Sequence, residues 1–535
     1  MGNPKTLPGD EGAIRASASV PACERRRTWV LVAAISGSTI ASIDESVVNV
    51  ALPRIEADLN ATLAAMQWVI NAYTLCLSAL LLVGGAAADR FGRRRMFIIG
   101  VSGFAVASLA CGFAPGVGVL IGARAIQGVG AALLIPCALA LIGAAYDEKE
   151  RGAAIGIWAG TSAISAGAAP LLGGWLVDHA SWRAIFLINP IAAIPTLWLT
   201  VRHVPESRDT QASASIDWRG ALLTFLGLGS LVYGLIAAAT LGWGNPAVLG
   251  ALSVGVALLV GFVLAERSSE APMVPLELFR SRRFSGINLL TLLLYGALGG
   301  AFFFLPFLLI QARGDSATAT GAVYIPFTIV MGLLSRWSGG LVDRVGARLP
   351  LISGPALVAL AFALIGFGAG EYRITLASMV IMGFGMALTA APLTTVVMNC
   401  VPAHRTGVAS GINNAVAAVG GLMLIAILGS AALGVFDRSL DRGLAARAAP
   451  AAVRAAVDSA RGGFVVPAMP ASLSAQEQRQ ARAVIRDSLV FTVRDVMWIA
   501  ALLAVASALT TVLTISAARG RPTDSPAAAS PPDPP

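Results

Sequence analysis

Apolar residues in this chain form long continuous stretches that are separated by short polar or glycine-rich connections. Fourteen stretches have about the 20 residues that a helix needs to cross the hydrocarbon core of a membrane. Lipid cannot satisfy backbone polar groups, and the stretches lack the alternation of membrane β-strands, so helices are predicted. The predicted spans are 28–52, 64–86, 96–114, 117–144, 152–177, 184–202, 219–241, 246–265, 284–310, 318–340, 349–369, 374–399, 406–435 and 494–517.

Composition agrees with a protein that crosses the membrane many times. Of the 535 residues, 56% are hydrophobic and only 13% are charged, which is too apolar for a soluble protein. The net charge of +9 does not indicate a nucleic-acid partner, because the arginines are scattered through the connections between spans. No nucleic acid is therefore expected, and the lipid bilayer is the expected surrounding.

Arginines in the short connections predict the orientation. They fall on the side of the membrane where the first span begins, and the positive-inside rule makes that side cytoplasmic, with both termini there. The segment of about 437–490 carries eight arginines on the opposite side, but long loops follow the rule poorly. We interpret it as an alanine-rich external loop with short amphipathic helices. A periplasmic adaptor for this loop stays an open alternative.

The sequence contains little that supports an enzyme. The only lysines are Lys5 and Lys149, so no phosphate-binding loop with its Gly-Lys pair exists to use ATP directly. The three histidines, His179, His203 and His404, lie in separate connections without a metal-ligand or triad arrangement. We therefore expect no enzyme, no metal and no cofactor, with an ion gradient as the energy source.

An internal repeat relates two halves of the chain. The glycine-rich cassette at 85–95 returns at 339–348, with Asp, Arg and Gly at one common offset of 254 residues. The repeat unit contains eight spans, an even number, so both copies keep the same orientation across the membrane. The predicted parts are a disordered cytoplasmic tail (1–27), a six-helix bundle (28–204), a linker with two further spans (205–270), a second six-helix bundle (271–517) with the external loop, and a disordered tail (518–535).

These motifs carry a family resemblance. The paired cassette resembles the loop motif of the major facilitator superfamily, and the fourteen spans with the sequence IDESVVNVALP at 43–53 are similar to its fourteen-helix drug/proton antiporter branch. The fourth span resembles that branch's proton-coupling motif through Arg124 and Gln127. In the fifth span, Ser165 and Ala169 replace expected glycines. Residues that match the antiporter signature there are Gly156, Pro170, Gly173 and Gly174.

The resemblance implies an all-α major facilitator fold of two six-helix bundles plus two linking helices. It further implies proton-coupled efflux of amphipathic, often cationic drugs or toxic compounds across the bacterial inner membrane by alternating access. Antibiotic resistance is the expected phenotype, with protons and small amphipathic substrates as the expected partners. The alternative is transport of one dedicated metabolite, by export or by symport uptake.

Ionisable residues inside the spans are costly, so each is a functional candidate. Asp44 lies about 24 Å along a helix from one side and Arg124 about 10 Å along a helix from the other, so both belong to the same layer. If the first and fourth spans face each other, as the resemblance implies, Arg124 would keep Asp44 ionised until a rearrangement changes its proton occupancy. Glu45 points about 100° away, either assisting in the cavity or pairing locally. A purely structural ion pair is the alternative for Asp44.

Two further sets of candidates are predicted. The resemblance implies that the cassettes gate the cytoplasmic side by locking against a helix end of the opposite half, and a carboxylate is favourable at a helix N-terminus. These gating residues are Gly85, Asp89, Arg90, Gly92, Arg93, Arg94, Asp343, Arg344 and Gly346. Aromatic and amide side chains are expected to line an adaptable cavity, with packing as the alternative for each. These cavity residues are Asn49, Trp68, Tyr73, Gln127, Trp158, Phe302, Phe303 and Asn413.

Overall fold

The computed structural model of the protein describes residues 10–208, 217–269, 272–368, 371–402 and 406–515. These residues form helices and no strand, and fourteen segments are long and apolar enough to cross a membrane. The all-α fold with fourteen spans is thereby confirmed. The helices are α1 (Asp10–Asp58), α2 (Leu63–Phe91), α3 (Arg93–Gly112), α4 (Val117–Ala145), α5 (Glu148–His179), α6 (Ala184–His203), α7 (Trp218–Leu241), α8 (Pro246–Ser268), α9 (Arg282–Phe307), α10 (Ala317–Ala322), α11 (Ile325–Gly339), α12 (Leu341–Val345), α13 (Arg348–Phe367), α14 (Tyr372–Asn399), α15 (Thr406–Ala446), α16 (Ala451–Asp458) and α17 (Ala475–Thr514).

Successive spans alternate in direction, so each connection lies on one of two membrane faces. We call the face where the membrane segment of α1 begins the proximal face and the face where α1 ends the distal face. Helix α1 starts at Asp10, so residues 10–27, which were predicted as a disordered tail, are helical. Their alanines and arginines are good helix formers. The other predicted tail residues, 1–9 and 518–535, lie outside the described part of the chain.

The predicted external loop of about 437–490 is largely helix, which corrects the sequence interpretation. Helix α15 continues to Ala446 and α17 begins at Ala475, so both extend far beyond the apolar stretches that marked the spans. Their 41 and 40 residues correspond to about 60 Å each, twice the hydrocarbon thickness. The amphipathic helix α16 lies between them, as expected for this segment. The sequence criterion of continuous apolar residues placed the distal ends of α15 and α17 too early, because it cannot follow a helix that becomes amphipathic.

Two helical halves are joined through the linking pair. Helices α1–α6 form the first half and α9–α17 form the second. Helix α7 packs against α8 and also against α2 and α15, one helix from each half. Leu75, Leu228 and Leu422 belong to the apolar cluster at this junction. The linking helices therefore lie beside the seam between the halves.

One face of α5 shows how the halves meet. Near the distal face a Cβ on Gly174 would lie 2.1 Å from the backbone oxygen of Ala317, and a Cβ on Gly167 would lie 2.0 Å from Thr328. Gly156, which lies on the same helix face about five turns earlier, has nothing within 4 Å of its ideal Cβ position. The halves therefore touch at the distal face and separate toward the proximal face.

The distribution of apolar cores agrees with this arrangement. The largest buried cluster joins residues of both halves, such as Val47 and Ile55 from α1 with Phe303 and Phe307 from α9. A second cluster, around Phe97 in α3, contains residues of the first half only. The space between the two halves is called the cleft here. It is closed on the distal side and open on the proximal side.

Substitution of Gly174 tests this conformation. We expect Gly174→Ala to favour opening of the distal face, because the added methyl group overlaps the backbone of α10, whereas Gly156→Ala leaves the distal face closed. The measurement is labelling of an introduced cysteine at Thr318 by a membrane-impermeant maleimide. Gly250→Ala in α8, where a Cβ also meets open space, is the control. Equal labelling rates for Gly174→Ala and the parent would contradict the arrangement.

Candidate functional site

Asp44 lies in the membrane segment of α1 and is sealed inside the first half. The residue has 0% exposure, and its partner Arg124 on α4 has 1%. Arg124 Nη1 donates a short hydrogen bond to Asp44 Oδ2. Gln127 Nε2 and Asn189 Nδ2 each donate to Asp44 Oδ1 at 2.7 Å. Helices α4 and α6 thereby supply the donors to the carboxylate of α1.

The guanidinium of Arg124 is held from several sides as well. Its Nε donates to the backbone oxygen of Val69 at 3.1 Å, and its Nη1 donates to Gln127 Oε1 at 2.6 Å. The guanidinium carbon lies 4.4 Å from the centre of the Tyr73 ring, within the range of a cation–π contact. A buried ion pair needs such additional hydrogen bonds to offset the cost of removing both charges from water.

The structure brings together Asp44 and Arg124, which their depth in the membrane placed in one layer and whose spans face each other in the family resemblance. Sequence reasoning missed two members of the network. Asn189 was not considered, although an amide in an apolar span is a usable signal, and Ser108 on α3 links the same groups by accepting from Gln127 Nε2 at 2.8 Å. A single serine in a span is too common to be recognised from sequence.

The repeat-related positions in the second half are apolar. Met379 corresponds to Arg124, and Ala297 or Leu298 corresponds to Asp44. Met379 and Ala297 are both fully buried in the core. Among the described residues, the second half therefore has no counterpart of the buried ion pair.

Glu45 occupies a different environment from its neighbour. The side chain is exposed, yet surrounding protein encloses it, which indicates a residue that lines the cleft. Within the described part of the chain, its carboxylate forms no hydrogen bond and no ion pair, although Arg124 and Asp44 lie within electrostatic range. Asn49 Nδ2 donates to the backbone oxygen of Glu45 at 3.4 Å. Of the two locations predicted for Glu45, the cleft is the one observed.

The first cassette is organised within the first half. Asp89 lies in the last turn of α2 and accepts hydrogen bonds from Arg93 at 2.9 and 2.8 Å. Gly92 has φ of 108° and separates α2 from α3, a backbone conformation that favours glycine. The carboxylate of Glu206, which sequence reasoning missed, accepts from the backbone N–H of Arg94 at 3.0 Å. Glu206, which follows α6, thus caps the N-terminus of α3, whereas the prediction placed a cassette carboxylate at a helix end of the opposite half.

The remaining gating candidates are spread over the proximal side. Gly85 lies inside α2, with the side chain of Pro136 at 3.7 Å from its ideal Cβ. Arg90 places its guanidinium carbon 5.3 Å from the ring centre of Phe91. In the second cassette, Arg344 is exposed and Gly346 has φ of 78°. The side chain of Asp343 lies outside the described part of the structure.

A carboxylate bridges the halves on the distal face instead. Asp178, near the end of α5, accepts hydrogen bonds from the backbone N–H groups of Ala317 and Thr318 at 3.1 and 2.7 Å. The hydroxyl of Thr318 also donates to it at 2.6 Å. This is the predicted contact of a carboxylate with a helix N-terminus of the opposite half, but at the other membrane face and from a residue that the sequence analysis did not select.

The antiporter signature lies along the faces of α5 that carry these contacts. Gly173 packs against Val47, because a Cβ there would lie 2.1 Å from Val47 Cγ2. Pro170 approaches α10 so closely that a Cβ on Gly321 would lie 2.1 Å from its backbone oxygen. Gly156 faces open space, as described above. Pro170 and Gly174 thus take part in the distal contact between halves, whereas Gly173 packs within the first half.

Half of the predicted cavity residues do not line the cleft. Tyr73, Gln127, Phe303 and Asn413 are buried, which corrects their assignment. Tyr73 and Gln127 belong to the ion-pair network. Phe303 packs in the core, and Asn413 Nδ2 donates to side chains of α9 at 2.8 and 3.1 Å. The apolar pattern could not distinguish a cleft face from a packed face.

The other four cavity candidates have different surroundings. Trp68 packs against the cluster beside the linking helix α7 and keeps partial exposure. Asn49, Trp158 and Phe302 keep partial exposure. The indole N–H of Trp158 donates to Ser38 Oγ at 2.9 Å, and the Phe302 ring lies 5.3 Å from that of Tyr324. With Trp68 and Glu45, these three are the accessible members of the predicted set.

Loss of one residue of the Asp44–Arg124 pair should lower the stability of the fold. We expect Arg124→Gln to destabilise the fold by about 3–5 kcal/mol, because it leaves the charge of Asp44 buried without its partner. The double variant Asp44→Asn/Arg124→Gln should recover most of that stability, since both charges are removed. Thermal unfolding of the detergent-purified protein measures both effects. A double variant as unstable as Arg124→Gln would contradict the pairing.

Comparison with known proteins shows which family and which relatives this chain resembles. The profile of the Major Facilitator Superfamily matches residues 34–425. The chain is 37% identical over 414 residues to the multidrug resistance protein Stp of Mycobacterium tuberculosis (strain CDC 1551 / Oshkosh), which covers 76% of each chain. It is 34% identical over 453 residues to the tetracenomycin C resistance and export protein of Streptomyces glaucescens, covering 83% of this chain and 84% of that protein.

A solved structure gives the same fold. The crystal structure of a bacterial homolog to the human lysosomal transporter Spinster, in an inward-facing and unoccupied conformation, superposes with a TM-score of 0.64. The match covers 93% of this chain and 99% of that one, at 18% sequence identity. The fourteen membrane spans and the paired cassettes agree with the family profile and the relatives. This chain therefore belongs to the Major Facilitator Superfamily.

Proposed function

We propose that the protein is a proton-coupled antiporter that exports amphipathic, often cationic drugs or toxic compounds by alternating access. The observation that carries the proposal is the sealed pair of Asp44 and Arg124, an ionised arrangement inside a transporter fold. The names of the relatives support drug export, because one is a multidrug resistance protein and another a resistance and export protein.

Alternating access follows from the glycine face of α5. This face is in contact with α10 at the distal end and free at the proximal end. A rocking motion that closed the proximal end would bring Gly156 toward the second half and part Gly174 from Ala317. Asp178 would then lose its contacts with α10. Cargo entering from the proximal side would leave on the distal side.

Proton coupling is assigned to Asp44. Protonation would neutralise its carboxylate and weaken the contacts with Arg124, Gln127 and Asn189. These partners belong to α4 and α6, so proton occupancy alters how α1 is held by its own half. Because the pair has no counterpart among the described residues of the second half, the coupling would be confined to the first half.

The cleft would receive the cargo. Glu45 presents a carboxylate without a hydrogen-bond partner in the described structure, and the partly exposed rings of Trp158 and Phe302 supply apolar surface. An accessible carboxylate together with accessible aromatic rings suits a cationic amphipathic compound. Export of one dedicated metabolite remains the second candidate, since the relative that is named for tetracenomycin C export supports a dedicated cargo.

The proposed setting is the bacterial inner membrane, with both termini and the proximal face in the cytoplasm. Support comes from the arginines at the proximal ends of the spans, such as Arg93, Arg94 and Arg95. The proton gradient is the proposed energy source. A periplasmic adaptor would meet the distal extensions of α15 and α17, which project beyond the membrane.

Replacement of Asp44 tests the coupling. In proteoliposomes, Asp44→Asn should abolish substrate movement driven by an imposed pH gradient, because no titratable carboxyl remains in the network. Exchange of labelled for unlabelled substrate without a gradient should persist. Asp58→Asn, at the exposed end of the same helix, is the matched control. Wild-type gradient-driven transport by Asp44→Asn would remove Asp44 from the mechanism.

Replacement of Glu45 tests cargo recognition. Glu45→Gln should raise the apparent KM for monovalent cationic dyes by about tenfold, which corresponds to the ~1.4 kcal/mol of a charge-assisted contact. Neutral drugs should keep their wild-type KM, since they do not use the charge. Dye efflux and drug accumulation in a pump-deficient host provide the two measurements. An equal loss for cationic and neutral compounds would exclude Glu45 as a charge-selective contact.

A further inference from the structure

The closed distal face is covered by a segment between α16 and α17. This segment, residues 459–473, is called the distal strap here. Its central residue, Phe464, is buried with 1% exposure. The Phe464 ring lies 5.7, 6.0 and 5.1 Å from the ring centres of Phe304, Phe307 and Phe436, all in the second half. The backbone N–H of Val466 donates to Gln311 Oε1 at 3.1 Å.

The strap also contacts the first half, through two hydrogen bonds. The backbone N–H of Phe464 donates to Glu56 Oε1 at 2.9 Å, and the backbone N–H of Leu63 donates to the oxygen of Gly462 at 3.0 Å. Glu56 lies near the distal end of α1. Its carboxylate approaches Gly463 so closely that a Cβ there would lie 2.4 Å from Oε1. A side chain at this point of the strap would require the carboxyl group of Glu56 to shift.

Glu56 is a buried carboxyl group without a cationic partner in the described structure. It is 3% exposed, and its second oxygen, Oε2, has no hydrogen-bond partner. The hydrogen bonds that its carboxyl group accepts come from backbone N–H groups of the strap. Burial of an ionised carboxylate in this way is costly, whereas the neutral acid is tolerated. The closed strap therefore favours a protonated Glu56.

The charged groups of the surrounding elements are engaged with one another. On α1, Arg54 pairs with Asp58 at 3.3 Å. On the strap, Arg461 pairs with Asp458 at 2.9 Å and also binds two aspartates of α15. The end of α9 and the start of α2 present apolar residues. No cation is thus placed to compensate an ionised Glu56 within the described residues.

Separation of the halves at the distal face must break one set of contacts of the strap. Three aromatic contacts and a hydrogen bond attach it to the second half, against two hydrogen bonds to the first. The strap is also continuous with α16 and α17. It therefore moves with the second half and leaves Glu56 in contact with water, where the carboxyl group loses its proton.

We propose that Glu56 is a second proton-binding site, which must take up a proton from the distal side before the strap closes over it. The bound proton is released to the same side when the distal face opens. The proposal goes beyond the proposed function, because it does not require Asp44 to bind the transported proton. It assigns to the distal strap a pH-dependent control of the return step.

The sign of the pH dependence follows from proton counting. The distal-closed state holds one proton more than the distal-open state, so a rise in pH favours opening. Between the two titrations, the ratio of closed to open molecules should change by up to ~10-fold per pH unit. Glu56→Gln keeps an oxygen acceptor for the Phe464 N–H and cannot ionise, so it should stay closed at every pH.

The experiment measures distances between spin labels at Ala180 in the first half and Ala471 in the strap, both exposed. The five native cysteines are replaced, and the protein carries Asp44→Asn so that only other groups titrate. Pulsed electron paramagnetic resonance of the protein in nanodiscs, from pH 5 to pH 9, gives the fraction of molecules whose distal face is closed. We expect the long-distance population to grow with pH in this parent and to be absent with Glu56→Gln.

Two further variants keep the result decisive. Asp58→Asn removes the exposed carboxylate two residues further along α1 and should leave the pH response unchanged. Gly463→Ala should open the strap even at low pH, since its methyl group displaces the carboxyl group of Glu56. An unchanged pH response with Glu56→Gln, or no pH response in the parent, would overturn the proposal. Normal gradient-driven transport by Asp44→Asn would defeat the proposed coupling alone and leave these distance measurements valid.

Discussion

An ionised carboxylate inside a membrane needs donors on every open side, and the first half is assembled so that Asp44 has them. The donors reach it from α4 and α6, and Arg124 in turn is held by α2 through Val69 and Tyr73. Each helix of this set is therefore tied to the charge state of one residue. A buried pair of this kind contributes little net stability by itself, but removal of either partner is expensive. The first half can change its internal packing only by changing what Asp44 binds.

Movement between the halves depends on a different property, the small size of residues on α5. Gly174 packs against the backbone of Ala317 and Gly167 against the side chain of Thr328, and neither contact involves a charged group. Asp178 adds a polar contact with α10 beside them. Close packing of this kind has two discrete arrangements, in contact or apart, which suits a rocking motion better than a gradual deformation. The absence of charge in the contact also means that its opening needs little desolvation work, so the proton-binding residues can control it.

Sequence patterns predicted the fourteen spans, the two halves and the meeting of Asp44 with Arg124, since apolar length and depth in the membrane are nearly one-dimensional properties. Sequence patterns failed for helix ends and side-chain burial, because these features depend on three-dimensional packing. The apolar criterion ended α15 and α17 too early, because amphipathic helices continue beyond the lipid. It also could not show that Tyr73 and Phe303 are buried while Phe302 is accessible. Glu206 and Asp178 were missed because a capping carboxylate is defined by the helix end it meets, which the sequence does not reveal.

Asp44, Glu45 and Glu56 are three carboxyl groups of helix α1 whose surroundings differ. Asp44 is sealed in the first half, Glu45 lines the cleft beside it, and Glu56 is covered by the distal strap. A helix transmits displacement along its axis as a nearly rigid body. Cargo binding at Glu45 and a proton change at Asp44 would therefore be felt at the distal end, about 17 Å away by helix rise. If the strap closes only over a protonated Glu56, the distal face can close again after cargo release only when a proton binds from that side, and this proton returns to the same side at the next opening. Glu56 would then set when the empty transporter returns, whereas net proton movement across the membrane would depend on Asp44.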